Sequence, residues 1–151
     1  MIKTTLCYIE NGGAYLMLHR TKKHNDTNHD KWIGIGGKFE DGETPEQCIE
    51  REVYEETGLR PACFTPRGIV SFSSEVWPDE EMYLFTARSE TRDTLQCSEG
   101  ILEWIPIEKV SELPIWEGDR VFLSLLSENR PFFRLKLEYD SEDKLKNSQL
   151  L

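Results

Sequence analysis

The feature that most constrains this chain is the stretch 36–59, in which glycines, helix signals and closely spaced glutamates follow one another. It comes directly after the apolar run 32–35, and we expect the pair Gly36-Gly37 to form a turn. A second turn is expected at Asp41-Gly42. One helix is then predicted. Its signals are an N-cap at Thr44, a proline at the first helical position at Pro45, a capping-box partner at Gln47 and a C-terminal stop at Gly58.

Three glutamates of this helix share one face. Glu52, Glu55 and Glu56 stand at i, i+3 and i+4, where like charges destabilise an isolated helix. A cation held between them would relieve that repulsion, and carboxylate oxygens suit Mg²⁺ or Mn²⁺. Arg51, next to Glu52 and four residues before Glu55, is placed to hold a carboxylate in position. A solvated acidic helix face is the alternative interpretation.

The spacing of the whole stretch favours the metal site. Gly37, five residues, Glu43, seven residues, then Arg51-Glu52-Val53-x-Glu55-Glu56-x-Gly58-Leu59 resembles the Nudix box without a departure. The resemblance implies a mixed β-sheet sandwiched between helices, an α/β fold of α/β/α type, with the box forming a loop, a helix and a second loop.

Composition limits the remaining function classes. The chain has 151 residues, of which 30% are charged and 38% hydrophobic, typical of one globular domain. A formal net charge of −10 argues against duplex nucleic acid as a partner. No membrane-span pattern or signal peptide is visible, so we expect a cytoplasmic protein without a membrane partner. The four scattered cysteines predict reduced thiols.

Residue patterns predict paired strands interleaved with helices. A hairpin signal at 11–13 joins strands at 4–9 and 14–19, and a helix is expected over about 117–127. Further strands are predicted at 67–73, 81–87, 101–105 and 133–139, with a short helical piece between Pro106 and Leu113. We expect a domain over residues 1–140 and a polar C-terminal tail, 141–151, that frays. The basic residues Lys22 and Lys23, and the loop 24–30, are expected at the surface.

The likeness to Nudix proteins extends over most of the chain. Within that family the chain is similar to the MutT branch, whose members include 8-oxo-dGTP diphosphatases. The matching stretches are 32–38, 99–104 and 114–119. They imply an enzyme that uses Mg²⁺, or Mn²⁺, to hydrolyse a nucleoside triphosphate to monophosphate and pyrophosphate. An oxidised purine such as 8-oxo-dGTP is the implied substrate, and a small nucleotide the implied partner of a monomer or homodimer.

The resemblance also assigns roles to individual residues. It implies metal on the carbonyl of Gly36 and on the side chains of Glu52, Glu55, Glu56 and Glu99. Substrate contacts are implied for a set of glycine, basic, aromatic and acidic residues, namely Arg20, Gly37, Lys38, Trp116 and Asp119. Glu52 is the first choice for the group that takes the proton from water, with Glu55 or Glu99 instead as alternatives.

Alternatives stay open at several of these positions. Glu99 could be a turn carboxylate, Trp116 a core residue, and Asp119 a charge favoured at a helix N-terminus. Arg20 could belong to an ordinary basic loop. At Ile33, a related enzyme has an asparagine that reads the base edge, so base recognition here must rest on other groups or the preferred base differs.

Two other functions are compatible with the same pattern. Nudix-like pyrophosphatases also act on other nucleoside diphosphate derivatives, such as sugar nucleotides and dinucleoside polyphosphates, and on prenyl diphosphates. A non-catalytic module of the same fold would bind a nucleotide without cleaving it.

Overall fold

The computed structural model describes residues 1–21 and 28–151, and within these ranges one mixed sheet spans the molecule. Its strands are β1 Ile2–Asn11, β2 Ala14–Arg20, β3 Trp32–Ile33, β4 Ile35–Lys38, β5 Phe64–Ser74, β6 Glu80–Arg88, β7 Gly100–Pro106, β8 Phe133–Tyr139 and β9 Leu145–Leu150. The helices are α1 Pro45–Thr57, α2 Glu117–Ser127 and a 3₁₀ helix Ile107–Glu112.

The strand order in the sheet is β3-β2-β1-β6-β5-β8-β9, with β4 paired to β1 and β7 paired to β2. The pairs β1–β6 and β5–β8 are parallel, whereas the hairpins β1–β2, β5–β6 and β8–β9 are antiparallel. The hairpin predicted at residues 11–13 and the mixed sheet are therefore confirmed.

Each face of the sheet buries its own hydrophobic core. Along β1, Leu6 and Tyr8 lie in a cluster with Phe122 of α2, while Cys7 and Ile9 lie in a second cluster with residues of α1. Alternation along a strand sends successive side chains to opposite faces. The helices consequently lie on opposite sides of the sheet, which confirms the expected α/β/α arrangement.

Local signals fix both ends of α1. Thr44 Oγ1 accepts a hydrogen bond from the Gln47 amide at 3.1 Å, and Gln47 Oε1 accepts one from the Thr44 amide at 2.9 Å. This is the predicted capping box. At the other end Gly58 adopts φ of 79° and donates its amide proton to the Tyr54 carbonyl at 2.9 Å.

Two expectations are wrong. Gly36 and Gly37 do not form a turn, because they pair with Leu6 and Thr5 as part of β4. A Cβ on Gly36 would meet the Thr5 carbonyl oxygen, so the glycine serves a close approach between strands. The chain after Ser141 does not simply fray, because residues 145–150 form β9 and pair with β8.

In the part of the chain that the structure describes, no helix is long and apolar enough to span a bilayer.

Candidate functional site

Arg51, in the middle of α1, lies among four carboxylates. Its Nε and Nη2 donate to the two oxygens of Glu43 at 2.6 and 2.9 Å, and its Nε also lies 3.0 Å from Glu40. Its Nη1 donates to Glu52 at 2.8 Å and to Glu55 at 3.2 Å. Hydrogen bonds from Arg51 lower the pKa of Glu43 to about 2. The contacts of Arg51 with Glu40 and Glu43 hold α1 against the loop that precedes it.

Glu56, Glu99 and Arg20 form a chain of contacts beside this helix. The register of β2 and β7 places Arg20 opposite Gly100, and Arg20 Nη1 donates to Glu99 Oε2 at 3.0 Å. Glu99 in turn shares a hydrogen bond with Glu56. Burial, followed by that hydrogen bond and the Glu99 charge, raises the pKa of Glu56 far above its usual range. Two carboxyl groups that share a hydrogen bond must hold a proton between them.

Glu52 lies next to the glycine strand β4. A Cβ on Gly37 would fall on the Glu52 carboxyl group, so a larger residue there would require the Glu52 side chain to move. Burial is the main cause that raises the pKa of Glu52, and the charges of Glu55 and Glu99 add to it. The hydrogen bond from Arg51 acts in the opposite direction. Glu52 therefore lies close to the other carboxylates in a partly buried place.

The carboxyl groups near α1 are of the type that binds a divalent cation, although their oxygens do not converge on one cation position. Among the described residues, no three acidic, histidine or cysteine side chains are already arranged to hold a metal ion. Glu55 is directed to Arg51, and its side chain is 56% exposed. The Glu56 Oε2 atom, however, is buried and has no hydrogen-bond partner within residues 1–21 and 28–151. A buried carboxylate oxygen without a partner, next to two further carboxylates, is a donor set that Mg²⁺ or Mn²⁺ suits.

Trp116 and Asp119 lie at the start of α2, on the opposite face of the sheet from α1. The Trp116 indole donates to Asn28 Oδ1 at 2.7 Å and meets the Tyr139 ring edge-on, with centroids 5.1 Å apart. The Lys31 ammonium lies 4.8 Å from the centroid of the Trp116 ring. Trp116 thus belongs to the α2-side core, as the alternative interpretation expected.

Asp119 lies in the first turn of α2, at the helix N-terminus, and it is buried there. Only 5% of the residue is exposed. Burial, assisted by the charge of Glu80, raises the pKa of Asp119 to about 8. Arg120 and Lys31 oppose this shift.

Ile33 and Trp116 lie in different hydrophobic clusters. Ile33 pairs with Leu18 across β2 and β3 and packs in the α1-side cluster, whereas Trp116 is in the α2-side cluster. Ile33 is therefore a core residue on the α1 side of the sheet.

The remaining residues with predicted substrate or surface positions lie in different parts of the molecule. Lys38 is exposed at the end of β4, and its carbonyl accepts from Arg51 at 3.1 Å. Lys22, Lys23 and residues 24–27 of the predicted surface loop lie outside the described residues. Asn28, from the same loop, is anchored on Trp116.

Sequence patterns missed two partners of this site, Glu43 and Glu80. Glu43 lies eight residues from Arg51, across the start of the helix, so helical spacing does not connect them. Its place in the Nudix-like pattern was the available signal. The charge of Glu80 acts on the pKa of Asp119 only because the tertiary fold brings the two residues near each other, and no local pattern indicates this.

Comparisons with known proteins point in one direction. The family model described as NUDIX domain matches residues 2–126. The uncharacterized Nudix hydrolase YvcI of Bacillus subtilis is 24% identical over 153 residues, covering 98% of this chain and 93% of YvcI. The oxidized purine nucleoside triphosphate hydrolase of Danio rerio is 30% identical over 105 residues, which are 68% of this chain and 66% of that protein.

A third relative, the NAD-capped RNA hydrolase NudC of Haemophilus influenzae, is 36% identical over 107 residues. The match covers 68% of this chain but only 39% of NudC. Among solved structures, the mutator MutT protein of Bacillus halodurans superposes with a TM-score of 0.87 at 24% identity, covering 99% of this chain and 97% of that one. That likeness shows the fold.

Proposed function

We propose, because this chain belongs to the Nudix hydrolase family, that it hydrolyses a nucleoside triphosphate to monophosphate and pyrophosphate with the help of Mg²⁺ or Mn²⁺. The substrate proposed is an oxidised purine nucleotide such as 8-oxo-dGTP. The observation that carries the metal-dependent part is the buried Oε2 of Glu56 beside Glu99, which has no hydrogen-bond partner in the described part of the chain. The similarity to oxidized purine nucleoside triphosphate hydrolases supports the substrate class.

The glutamates of α1, with Glu99 and the carbonyl of Gly36, are the proposed ligands of the cation. A divalent ion bound there supplies charge neutralisation for the phosphates and lowers the pKa of a water molecule. For Glu56, binding requires loss of the proton that it shares with Glu99. Arg51 keeps Glu43, Glu52 and Glu55 from turning outward, because its guanidinium group holds all three.

Glu52 is the proposed acceptor of the proton from water. It is partly buried, its pKa is raised, and Arg51 holds one of its oxygens at 2.8 Å, which leaves the other oxygen for a proton. Of the other two candidates, Glu55 has a side chain that is more exposed than that of Glu52, and Glu99 accepts a hydrogen bond from Arg20. Arg20 is the proposed phosphate contact, and to serve it must share its guanidinium between substrate and Glu99.

A second candidate is cleavage of a nucleoside diphosphate derivative other than a triphosphate. The similarity to NudC, whose name describes an NAD-capped RNA hydrolase, favours this alternative. Both candidates use the same acidic site, because the bond broken in each is a phosphoanhydride.

The experiment that tests the proposal measures product release from a substrate panel with Mg²⁺ and with Mn²⁺. The panel contains 8-oxo-dGTP, dGTP, dATP, NAD and a sugar nucleotide. We expect release of pyrophosphate from the triphosphates, fastest with 8-oxo-dGTP. Release of nucleoside monophosphate from NAD alone would favour the second candidate. Tight binding of one nucleotide without any product would contradict both and favour a binding module.

A further inference from the structure

A cleft of about 360 Å³ opens on the α2 side of the sheet, where β1 and β6 end and β2 and β5 begin. Tyr8 and Leu126 line it, and both belong to or pack against the α2-side core. Its polar groups come from the strands, namely from Glu10, Tyr15, Thr65, Arg67, Thr86 and Arg88. We call this space the Arg67 cleft.

The Arg67 cleft is separate from the carboxylates of α1. On β1, Thr5 pairs with Gly37, the glycine next to Glu52, whereas Glu10 of the cleft lies further along the strand. Strand geometry makes the distance from Thr5 to Glu10 about 17 Å. The α1 helix also packs on the opposite face of the sheet. A ligand in the Arg67 cleft would therefore occupy a second site.

A β-bulge determines where the Arg67 side chain points. On β5, Pro66 pairs with Phe85 and Gly68 pairs with Leu84, so Arg67 is an extra residue without an opposite partner on β6. Bulges of this kind redirect a side chain, and they are common next to functional sites. Without the bulge, regular alternation would not put Arg67 and Gly68 next to the same space.

The guanidinium group of Arg67 is held in a defined position. Its Nε donates to Thr86 Oγ1 at 2.6 Å, and its Nη1 lies 3.4 Å from Asn129 Oδ1. Neither contact uses Nη2, and a guanidinium group has more N–H donors than these contacts engage. A positioned guanidinium loses little further freedom when it binds an anion.

Arg88 adds a second positive charge to the same cleft. Within residues 1–21 and 28–151, the ion pairs of the structure include neither Arg67 nor Arg88. Acidic residues outnumber basic ones by 28 to 18 in this chain, so two arginines in one cleft without a paired carboxylate run against its composition. Guanidinium groups match the geometry of phosphate oxygens.

We propose that the Arg67 cleft binds the phosphate group of a small anion, either free phosphate or a phosphate monoester. Arg67 and Arg88 neutralise its charge and donate N–H groups, and the Thr65 hydroxyl is a further donor. Glu10, the carboxylate of the cleft, accepts a proton from a hydroxyl group of the ligand, which both kinds of ligand carry. This site does not depend on the proposed hydrolysis.

Cys63 provides a local probe of the cleft. It lines the Arg67 cleft and is exposed, whereas the other three cysteines are buried. The rate at which N-ethylmaleimide alkylates Cys63 is measured by mass spectrometry in EDTA, with orthophosphate, with ribose 5-phosphate, and with sodium chloride at matched ionic strength. A phosphate ligand at about ten times its dissociation constant should slow the reaction about tenfold by mass action. Chloride should not slow it.

Variants connect the protection to the two arginines. Arg67→Met and Arg88→Met should each weaken phosphate affinity at least about tenfold, because each removes charge-assisted hydrogen bonds. Arg88 is exposed, so its replacement tests the proposal even if Arg67→Met unfolds. Arg134→Met is the control for the loss of one positive charge. Arg134 is an exposed arginine of β8, and alternation with its buried neighbours directs it to the other face.

The two ligands identify the source of the phosphate group. Stronger protection by ribose 5-phosphate assigns the cleft to a monoester, stronger protection by orthophosphate assigns it to free phosphate, and both results support the proposal. Absence of protection by either ligand in the wild type, or undiminished protection in both Arg67→Met and Arg88→Met, would overturn it. Neither ligand contains a phosphoanhydride bond, so a failure of the substrate panel would leave this site standing.

Discussion

Glu56 is the residue at which burial and charge conflict most directly. One of its oxygens is buried without a hydrogen-bond partner among the residues that the structure describes, and the group shares a hydrogen bond with a second carboxyl, Glu99. Replacement of such a carboxylate by its amide removes the charge while keeping the shape. The fold should therefore tolerate the change, whereas a reaction that needs the negative charge should not.

We predict that Glu52→Gln and Glu56→Gln each lower the rate of pyrophosphate release by at least about a hundredfold, the lower end of what a general base contributes. Both should melt within a few degrees of wild type, because Gln keeps the volume of Glu. Glu50→Gln is the control, since Glu50 is exposed on the same helix, and it should retain full activity. Wild-type rates in either of the first two variants would contradict their assigned roles.

At the scale of elements, α1 is the part that the sequence predicts best. Its capping box, its proline at the first position and its left-handed Gly58 are local signals, and local signals do not depend on distant parts of the chain. The pair Gly36-Gly37 was misinterpreted as a turn because the need for glycine arises from Thr5 and Glu52, both distant in sequence.

Strand β9 is a second element that local sequence patterns do not predict. Its sequence is polar, and nearly all of its residues are exposed, so periodicity gives no signal for burial. Pairing with β8, which carries the apolar alternation, is what makes it a strand. The contacts of Arg51 with Glu52 and Glu55 follow from helical spacing, whereas the contact with Glu43 and the burial of Asp119 depend on tertiary structure.

The cap of α1 gives a prediction for stability. Thr44→Ala removes the oxygen that accepts from the Gln47 amide, and we expect it to lower the free energy of unfolding by about 1 kcal/mol. Thr44→Ser keeps that oxygen and should stay close to wild type. Urea unfolding followed by circular dichroism measures both. Equal stability of the alanine and serine variants would show that the cap does not stabilise this helix.

At the scale of the whole molecule, the chain carries a net charge of −10 and buries several carboxyl groups on both faces of its sheet. Glu56 lies on the proposed metal side, while Asp119 and Glu80 lie on the side of α2. For each of them burial raises the pKa, so each is easier to bury with its proton than without it. The metal-free fold should therefore become less stable as the pH rises.

Asp119 provides a test of this pH dependence. Its folded pKa is about 8, whereas an unfolded aspartate titrates near about 3.9. Between these values the folded state binds more protons than the unfolded state, so the free energy of unfolding falls as pH rises from about 4 to about 8. In Asp119→Asn, unfolded by urea in EDTA across this range, the decline should be shallower than in wild type.

The comparison of the two slopes isolates Asp119, because Glu56 and Glu80 titrate in both proteins. Asp93→Asn, a change of an exposed aspartate, should leave the wild-type slope unchanged. Parallel slopes for wild type and Asp119→Asn would mean that Asp119 does not hold its proton in the folded protein.

The most direct test of the central claim, capture of a divalent ion by the carboxylates of α1 and Glu99, is calorimetric titration of the purified protein with Mn²⁺. Wild type and Glu50→Gln should bind Mn²⁺ with equal affinity, while Glu56→Gln should bind it at least about tenfold more weakly. Absence of Mn²⁺ binding by the wild type, or equal affinity in Glu56→Gln, would contradict the claim.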